Sequence, residues 1–471
     1  MNLNMKAHGP SGLMSLVLVL VTGCQSYRSM PLELDSYTTK LEQRLLDTDR
    51  VAEFAAAMYE EEGKAFSFDL ADEIDCSEAE ALALFYNPSL RMVRAEAGLT
   101  RAVAKHAGLW QDPEFGFDAA QILSPGSQFD FGGTLALTLP ISGRLGIERD
   151  REGAAHEAAL LRIADEEWNL RMDVRRAWAL WVLADGRVRQ FDQFSKQFDE
   201  LMVTIDGLVE IGELGRVEGR LVRIEWAVQL AEFAESKSAE REARGLLLGQ
   251  MGLPADSAVV FANRLPAESA RAIDHSAGRL MDTNTAIAVV VAEYEVAEHA
   301  LRYEVRKQFP DISLGGGFGS EDDDERLLFG ISLPIPVLNA NKAGIANAHA
   351  ARDAAGVRAE LMLDQITRDL YLAKARSDAV RAQRELYETD IAPMLDEQTK
   401  EIRDLAGLGE IRTLVLLKTI TNHMETRRRL LELSAALSIS GTEILRILGP
   451  GIEDRGPLLI DDVALEAGGV E

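Results

Sequence analysis

The sequence predicts a mainly α-helical chain with a small β part, laid out twice. Three observations predict it. Apolar residues recur in alternating steps of three and four along very long helical segments. Four short stretches instead alternate apolar with small or polar residues, the period of half-buried strands. The same strand ending also recurs, LALTLPISG at 135–143 and FGISLPIPV at 329–337, with Pro140 and Pro334 194 positions apart. A period that long exceeds a solenoid unit and marks an internal duplication of a domain half.

The chain begins with a segment unlike the rest. In residues 1–23, Lys6 and His8 precede an apolar run at 13–21, too short to span a bilayer and matching a secretory signal peptide. The run ends in Val21-Thr22-Gly23-Cys24, which resembles the lipobox of bacterial lipoproteins. That resemblance implies acylation of Cys24, and Gln25 in place of aspartate implies sorting to the outer membrane. Residues 24–76 then read as an N-terminal periplasmic segment. With Cys24 lipidated, Cys76 has no cysteine left to pair with, so it reads as a small apolar residue at a segment start.

The first repeat covers 77–265. Asn87-Pro88-Ser89-Leu90-Arg91 opens an Ala-rich helix that Trp110-Gln111-Asp112-Pro113 breaks, because proline removes a donor and clashes with the preceding turn. A strand pair comes next. Phe115 and Phe117 oppose Glu114, Gly116 and Asp118; then Phe129, Phe131, Leu135, Leu137 and Leu139 oppose Asp130, Gly132, Thr134, Ala136 and Thr138. Residues 129–139 are about what a tilted strand needs to cross a membrane. A helix over 146–211 carries the seam Leu160, Ile163, Glu167, Leu170, Val174, Ala177, Trp181, Ala184, Val188, Phe191, continued to Ile211 with Glu167 as its polar exception. Unbroken, it is about 100 Å long at 1.5 Å per residue. Gly212 and Gly215 then turn the chain, and 217–250 runs back.

The second repeat, 266–449, has the same parts. Residues 280–306 hold the place of the opening helix, and Phe309-Pro310-Asp311 that of the break. Ile312, Leu314 and Phe318 oppose Asp311, Ser313 and Gly317; Leu327, Phe329, Ile331 and Leu333 oppose Arg326, Gly330 and Ser332. A looser seam runs from Leu363 through Ile366, Leu370, Ala373 and Ser377 to Met394, with Pro393 inside it predicting a kink. Gly407 and Gly409 turn into 411–448, and 450–471 is a C-terminal tail.

Composition narrows the function. Lys plus Arg number 50 against 77 Asp plus Glu, a net charge of −27 that excludes a nucleic-acid partner. The acidity fits solvated helix faces, or a carboxylate-lined passage for cations. The seven histidines are scattered, with no His/Cys cluster at ligand spacing, so neither metal nor cofactor is expected. Gly315-Gly316-Gly317 lacks the G-K-[ST] of a phosphate loop and reads as close strand packing or a small-residue lumen face. Trp168, Trp178 and Trp181 read as packing within the helices. No serine, cysteine or carboxylate pair has a catalytic context, so an enzyme is not expected.

Four strands do not close a barrel, and hydrocarbon does not tolerate open sheet edges. The duplicated plan resembles the TolC-like outer-membrane efflux channel family over residues 77–449. The residues that carry the resemblance are N-P-x-L at 87–90, the L-P-[IL] strand endings, and G-x-[IV] at the hairpin turns. The resemblance implies a homotrimer in which each chain gives four strands to a twelve-stranded transmembrane β-barrel in the outer membrane. The duplicated hairpins would form a periplasmic α-barrel. The function implied is a passive exit duct of a tripartite efflux or type I secretion system, docking to a periplasmic adaptor and an inner-membrane transporter. The adaptor would meet the tips, Gly212, Leu214 and Gly215 in one half and Gly407, Leu408 and Gly409 in the other, with Leu214 and Leu408 offering apolar contact. Family members carry constricting aspartates beyond the second tip. Aligned on Gly409, those places hold Val415 and Lys418 here, and Leu221 and Ile224 in the first half. The expected constriction is therefore apolar, around Leu414 to Leu417. A periplasmic coiled-coil adaptor or structural lipoprotein is the alternative. Such adaptors usually carry one hairpin, whereas here each of two hairpins follows its own strand pair.

Overall fold

The computed structural model describes residues 27–44, 48–61, 68, 73–121, 129–266, 277–321, 324–407 and 413–450. The expected signal peptide, Cys24, Leu408, Gly409 and residues 451–471 of the expected C-terminal tail lie outside them. The chain divides into two compact units, Met1–Arg44 and Leu45–Glu471. In the first, α1 (Leu34–Glu42) has Asp35 in its first turn and Lys40 in its last, each favourable to the helix dipole.

The second unit begins with α2 (Thr48–Glu61) and α3 (Cys76–Tyr86). Asp75 caps α3, accepting from the backbone N–H groups of Ser77 and Glu78, while Glu78 accepts from that of Asp75. Asn87 joins α3 to α4 (Pro88–His106), whose Pro88 sits where no helical donor is needed. Next come β1 (Glu114–Gln121) and β2 (Phe129–Leu139). Pro140 ends β2, and α5 (Arg144–Glu210) starts four residues later. The helix holds 67 residues without a break, as its seam predicts. The turn at 211–215 leads to α6 (Arg216–Gln250). The second half repeats the plan with α7 (Ala277–Thr283), α8 (Thr285–Arg306), β3 (Ile312–Glu321), β4 (Asp324–Ser332) and α9 (Lys342–Leu386). A π-helical turn (Tyr387–Ile391), α10 (Ala392–Gly407) and α11 (Thr413–Leu448) complete it.

Pro393 acts one turn upstream of itself. Lacking an N–H, it leaves the ladder unable to continue in register, and the Ala392 N–H bonds Tyr387 O across five residues. The extra residue rotates the downstream helix by about 100°. The predicted seam therefore stops here: Ile366, Leu370, Ala373 and Ser377 are buried, but Met394 is 61% exposed.

The duplication is most exact at two joints. Asn87 Oδ1 accepts from the Ser89 and Leu90 N–H groups, and its Nδ2 donates to Gln250 O at 2.9 Å. Asn284 Oδ1 accepts from the Ile287 N–H, and its Nδ2 donates to Ile447 O at 2.6 Å. Each asparagine thus caps one helix and ties it to the end of the returning helix. Behind each tie sits a glycine with positive φ, Gly252 at 69° and Gly449 at 74°. A side chain there would collide with the backbone of Tyr86 or Thr283. Both joints recur at 197 positions, three more than the prolines, so the second half is shorter between joint and strand end.

Burial follows these joints. The largest cluster packs Leu82, Leu90, Ile163, Val174, Trp178, Leu247 and Met251 where α3 and α4 meet α5 and α6. Trp178, Trp181 and Phe261 meet edge to face, 5.1–5.7 Å apart. A smaller cluster, Leu280, Ile287, Ile366, Leu370, Ile444 and Leu448, repeats the arrangement in the second half. Toward the first tip, α5 and α6 share a ladder of stacked rings. Phe198 lies 4.6 Å from Trp226, Trp226 5.7 Å from Phe191, and Phe191 4.0 Å from Phe233, all within 13° of parallel.

Candidate duct and its tips

The four strands form one antiparallel sheet in the order β1-β2-β3-β4. Rows across it are set by register: Phe115, Leu135, Gly316 and Phe329 form one, and Phe117, Gly133, Phe318 and Leu327 the next. These rows share a face, as the alternation predicts, and that face is apolar and solvent-exposed, with Phe115 at 74% and Phe329 at 82%. The opposite face carries Gly116, Thr134, Gly317 and Leu328, then Asp118, Gly132, Gly319 and Arg326. Gly317 and Gly319 also let β3 approach β2, since a Cβ on either would crowd the backbone of residues 131–134. An exposed apolar face on a sheet with two unpaired edges, β1 and β4, demands a cover. No described helix is long and apolar enough to cross a membrane.

All four strands attach to helices at one end of the sheet, where Leu139 pairs with Ile312 and Ser313 with Ser332. Side chains bind the two halves there. Thr138 and Ser313 share a hydrogen bond of 2.9 Å, and Arg144 pairs with Asp311 at 2.8 Å. Burial would push the Glu304 carboxyl up, but donors from Asn341 and Lys307 outweigh it and hold it low.

The first tip turns at Gly212, φ 79°. There the Leu214 N–H reaches Leu208 O at 3.1 Å, and the Gly215 N–H donates to Glu218. The sequence pattern turns Leu214 outward; it is instead 8% exposed and packs on Phe198, Ile205 and Val222. The turn folds the leucine back into the hairpin, so the apolar side chains presented outward are Ile211 and Val217, 68% and 72% exposed. At the second tip Gly407 ends α10, while Leu408 and Gly409 lie outside the described residues. Of the residues expected to form a constriction, Leu221 and Ile224 on α6 and Val415 on α11 are 45–54% exposed. Lys418 is exposed, and Leu414 lies in α11 with its side chain outside the description. Leu221 and Ile224 continue an exposed apolar stripe from Val217 to Val228 at heptad spacing, a pattern that reading the sequence for motifs passes over.

Equally silent in the sequence is a buried charge cluster between α3 and α5. Glu80, 1% exposed, accepts from Arg171 Nε at 2.8 Å and Arg175 Nε at 2.5 Å. Burial would raise its carboxyl, but the two guanidiniums outweigh that and hold it below the glutamate range. Burial raises the neighbouring Cys76 thiol well above its ordinary value, so it stays protonated and inert. The polar exception in the seam, Glu167, pairs with Arg94 at 2.8 Å. On the same helix burial raises Asp165 and Glu166, the latter helped by Asp165 and Asp173. Among the described residues no group of three or more His, Cys, Asp or Glu could hold a metal ion.

No family model matches the chain. A stretch of 245 residues is 22% identical to the cobalt-zinc-cadmium resistance protein CzcC of Cupriavidus metallidurans, covering 51% of this chain and 58% of that protein. The match thus spans under two thirds of that relative. Solved structures agree more widely. A membrane protein from Pseudomonas aeruginosa aligns over 82% of this chain and 92% of its own, with a TM-score of 0.71 and 18% identity. The outer-membrane channel OprN aligns over 92% and 100%, at 0.71 and 16%. CusC, described in forming a transmembrane channel, aligns over 80% and 92%, at 0.69 and 17%. The chain has the fold of the outer-membrane efflux channels, with duplicated long helical hairpins and four strands.

Proposed function

We propose that the chain is one subunit of a trimeric outer-membrane exit duct, serving a tripartite efflux or type I secretion system. The observation that carries this is the sheet: four strands, one exposed apolar face and two open edges, attached to helices of up to 67 residues. Three copies joined edge to edge, β4 to β1, would close a barrel, satisfy every edge and bury the apolar face in lipid. The small and polar face would line the lumen, and the hairpins would continue the tunnel through the periplasm. Such a duct is passive; a pump on another chain selects the cargo. The chain's net charge of −27 and the likeness to a cobalt-zinc-cadmium resistance protein favour cationic cargo.

Three further roles belong to this proposal. The tips, Gly212 to Gly215 and Gly407 to Gly409, meet a periplasmic adaptor, with Ile211 and Leu408 as apolar contacts. Leu221, Ile224, Leu414 and Val415 close the periplasmic end by apolar packing and dewetting, with Lys418 at their edge. Cys24, acylated, adds an anchor to a barrel that already holds the protein in the membrane. Electron microscopy of the detergent-extracted full-length protein tests the duct. A three-fold tube is expected; an isolated single-chain hairpin rules it out.

A further inference from the structure

The end of the sheet where strands become helices combines two features. The first is apolar and exposed: Trp110, Ile141, Phe309 and Ile335 are 55–74% exposed. They stand where the strand rows end, at the edge of the face that the duct reading places in lipid. The second is charge. Lys105 lies in the last turn of α4, Arg149 in the second turn of α5, Arg306 ends α8 and Lys342 opens α9, so all four converge on this rim. Each is exposed. None forms an ion pair or side-chain hydrogen bond among the described residues; Arg306 rests over the Phe309 ring, 5.9 Å from its centroid.

The carboxylates nearby are engaged differently. Asp311 is taken by Arg144, Glu304 by Lys307 and Asn341, and Glu152 by Arg151. Asp112, Glu114 and Asp150 are the exposed carboxylates left on this rim. In a chain of net charge −27, four exposed cations against three exposed carboxylates leave this rim close to neutral, far less acidic than the chain as a whole. Interfacial aromatic and aliphatic side chains beside cations match the headgroup layer of a bilayer that contains anionic phospholipid.

We propose that this rim binds anionic phospholipid of the membrane's periplasmic leaflet, with Lys105, Arg149, Arg306 and Lys342 meeting the phosphates and Trp110 and Phe309 lying at headgroup level. The proposal rests on the duct reading, which sets the sheet in a membrane. The charges fix the depth and tilt of the barrel from the periplasmic side, so lipid composition tunes how the tunnel stands on the membrane.

Trp110 reports on the site. It is 58% exposed, whereas Trp168, Trp178 and Trp181 are buried on α5, the nearest of them about 36 Å along the helix from its start. The full-length protein is reconstituted into phosphatidylcholine vesicles doped with brominated phosphatidylglycerol or brominated phosphatidylcholine, and tryptophan quenching is measured. Trp110→Phe gives the background. Brominated phosphatidylglycerol is expected to associate about fivefold more strongly or better, fivefold being the ~1 kcal/mol that a single engaged basic residue supplies. The preference should shrink in molar salt and in the quadruple variant Lys105→Gln, Arg149→Gln, Arg306→Gln, Lys342→Gln. Equal quenching of the wild type by the two lipids overturns the proposal and leaves the duct intact. No quenching of Trp110 by either overturns the membrane placement itself.

Discussion

Replacing Glu80 by glutamine keeps the shape of the side chain and removes its charge, leaving Arg171 and Arg175 facing a neutral amide in a site that is 1% exposed. Breaking a buried ion pair by removing one partner costs about 3–5 kcal/mol. The glutamine carbonyl still accepts one of the two guanidinium hydrogen bonds, which returns roughly 1 kcal/mol. The expected loss is therefore about 2–4 kcal/mol. It is read by urea denaturation of the full-length protein in detergent, followed by helical circular dichroism. The effect depends on pH with a definite sign. The folded-state carboxyl is held below its unfolded value of about 4.3, so its stabilisation is complete at neutral pH. It is lost as pH falls through the folded pKa. The gap between wild type and variant should be full near pH 7 and close in acid, below about pH 4. Arg175→Met in the same background gives the coupling by a double-mutant cycle. A gap that persists unchanged through the acid limb would show that the site contributes by packing, and equal stability at neutral pH would refute the charge account outright.

Other substitutions probe the same geometry. Asn284→Ala removes a cap and orphans the Ile447 carbonyl, costing about 1–3 kcal/mol in urea denaturation, and Asn87→Ala should cost a similar amount. If one joint tolerates alanine freely while the other does not, the twin account is wrong. Pro393→Ala restores the missing donor, and amide exchange at 387–397 should slow as the π turn reverts to α-helix. Val415→Ser wets the proposed constriction and should raise open probability in planar bilayers; an unchanged closed state argues that the gate lies elsewhere.

Much of the fold was legible because its signals are periodic and local. The seam from Leu160 to Leu208 lies within one helix, and the strand alternation survives intact in the register of the sheet. The features that stayed hidden depend on partners far along the chain. Glu80 sits in the apolar run AEALALF, and nothing local shows that Arg171 and Arg175 wait on the next long helix. Asn284 does the work of Asn87 without the proline that made the first joint conspicuous. Gly449 looks like an ordinary helix stop until the backbone of Thr283 is seen against it. Leu214, bracketed by glycines, reads as an exposed tip; only the path of the turn reveals that it faces Phe198. The seam ended early at Tyr387 because a proline's effect on the ladder reaches upstream, and periodicity counts residues without counting hydrogen bonds.

The stacked rings between α5 and α6 and the π turn before Pro393 make the two hairpins mechanically unlike. Four aromatic rings in near-parallel contact resist shear, so the first hairpin behaves as a splinted beam toward its tip. The second hairpin has, at the comparable stretch, a place where the ladder slips by one residue and bending stiffness drops. A push delivered equally to both tips is therefore not shared equally: the splinted leg transmits it toward the sheet, and the jointed leg yields sideways. The two halves of this duplicated chain have parted in compliance as well as in sequence.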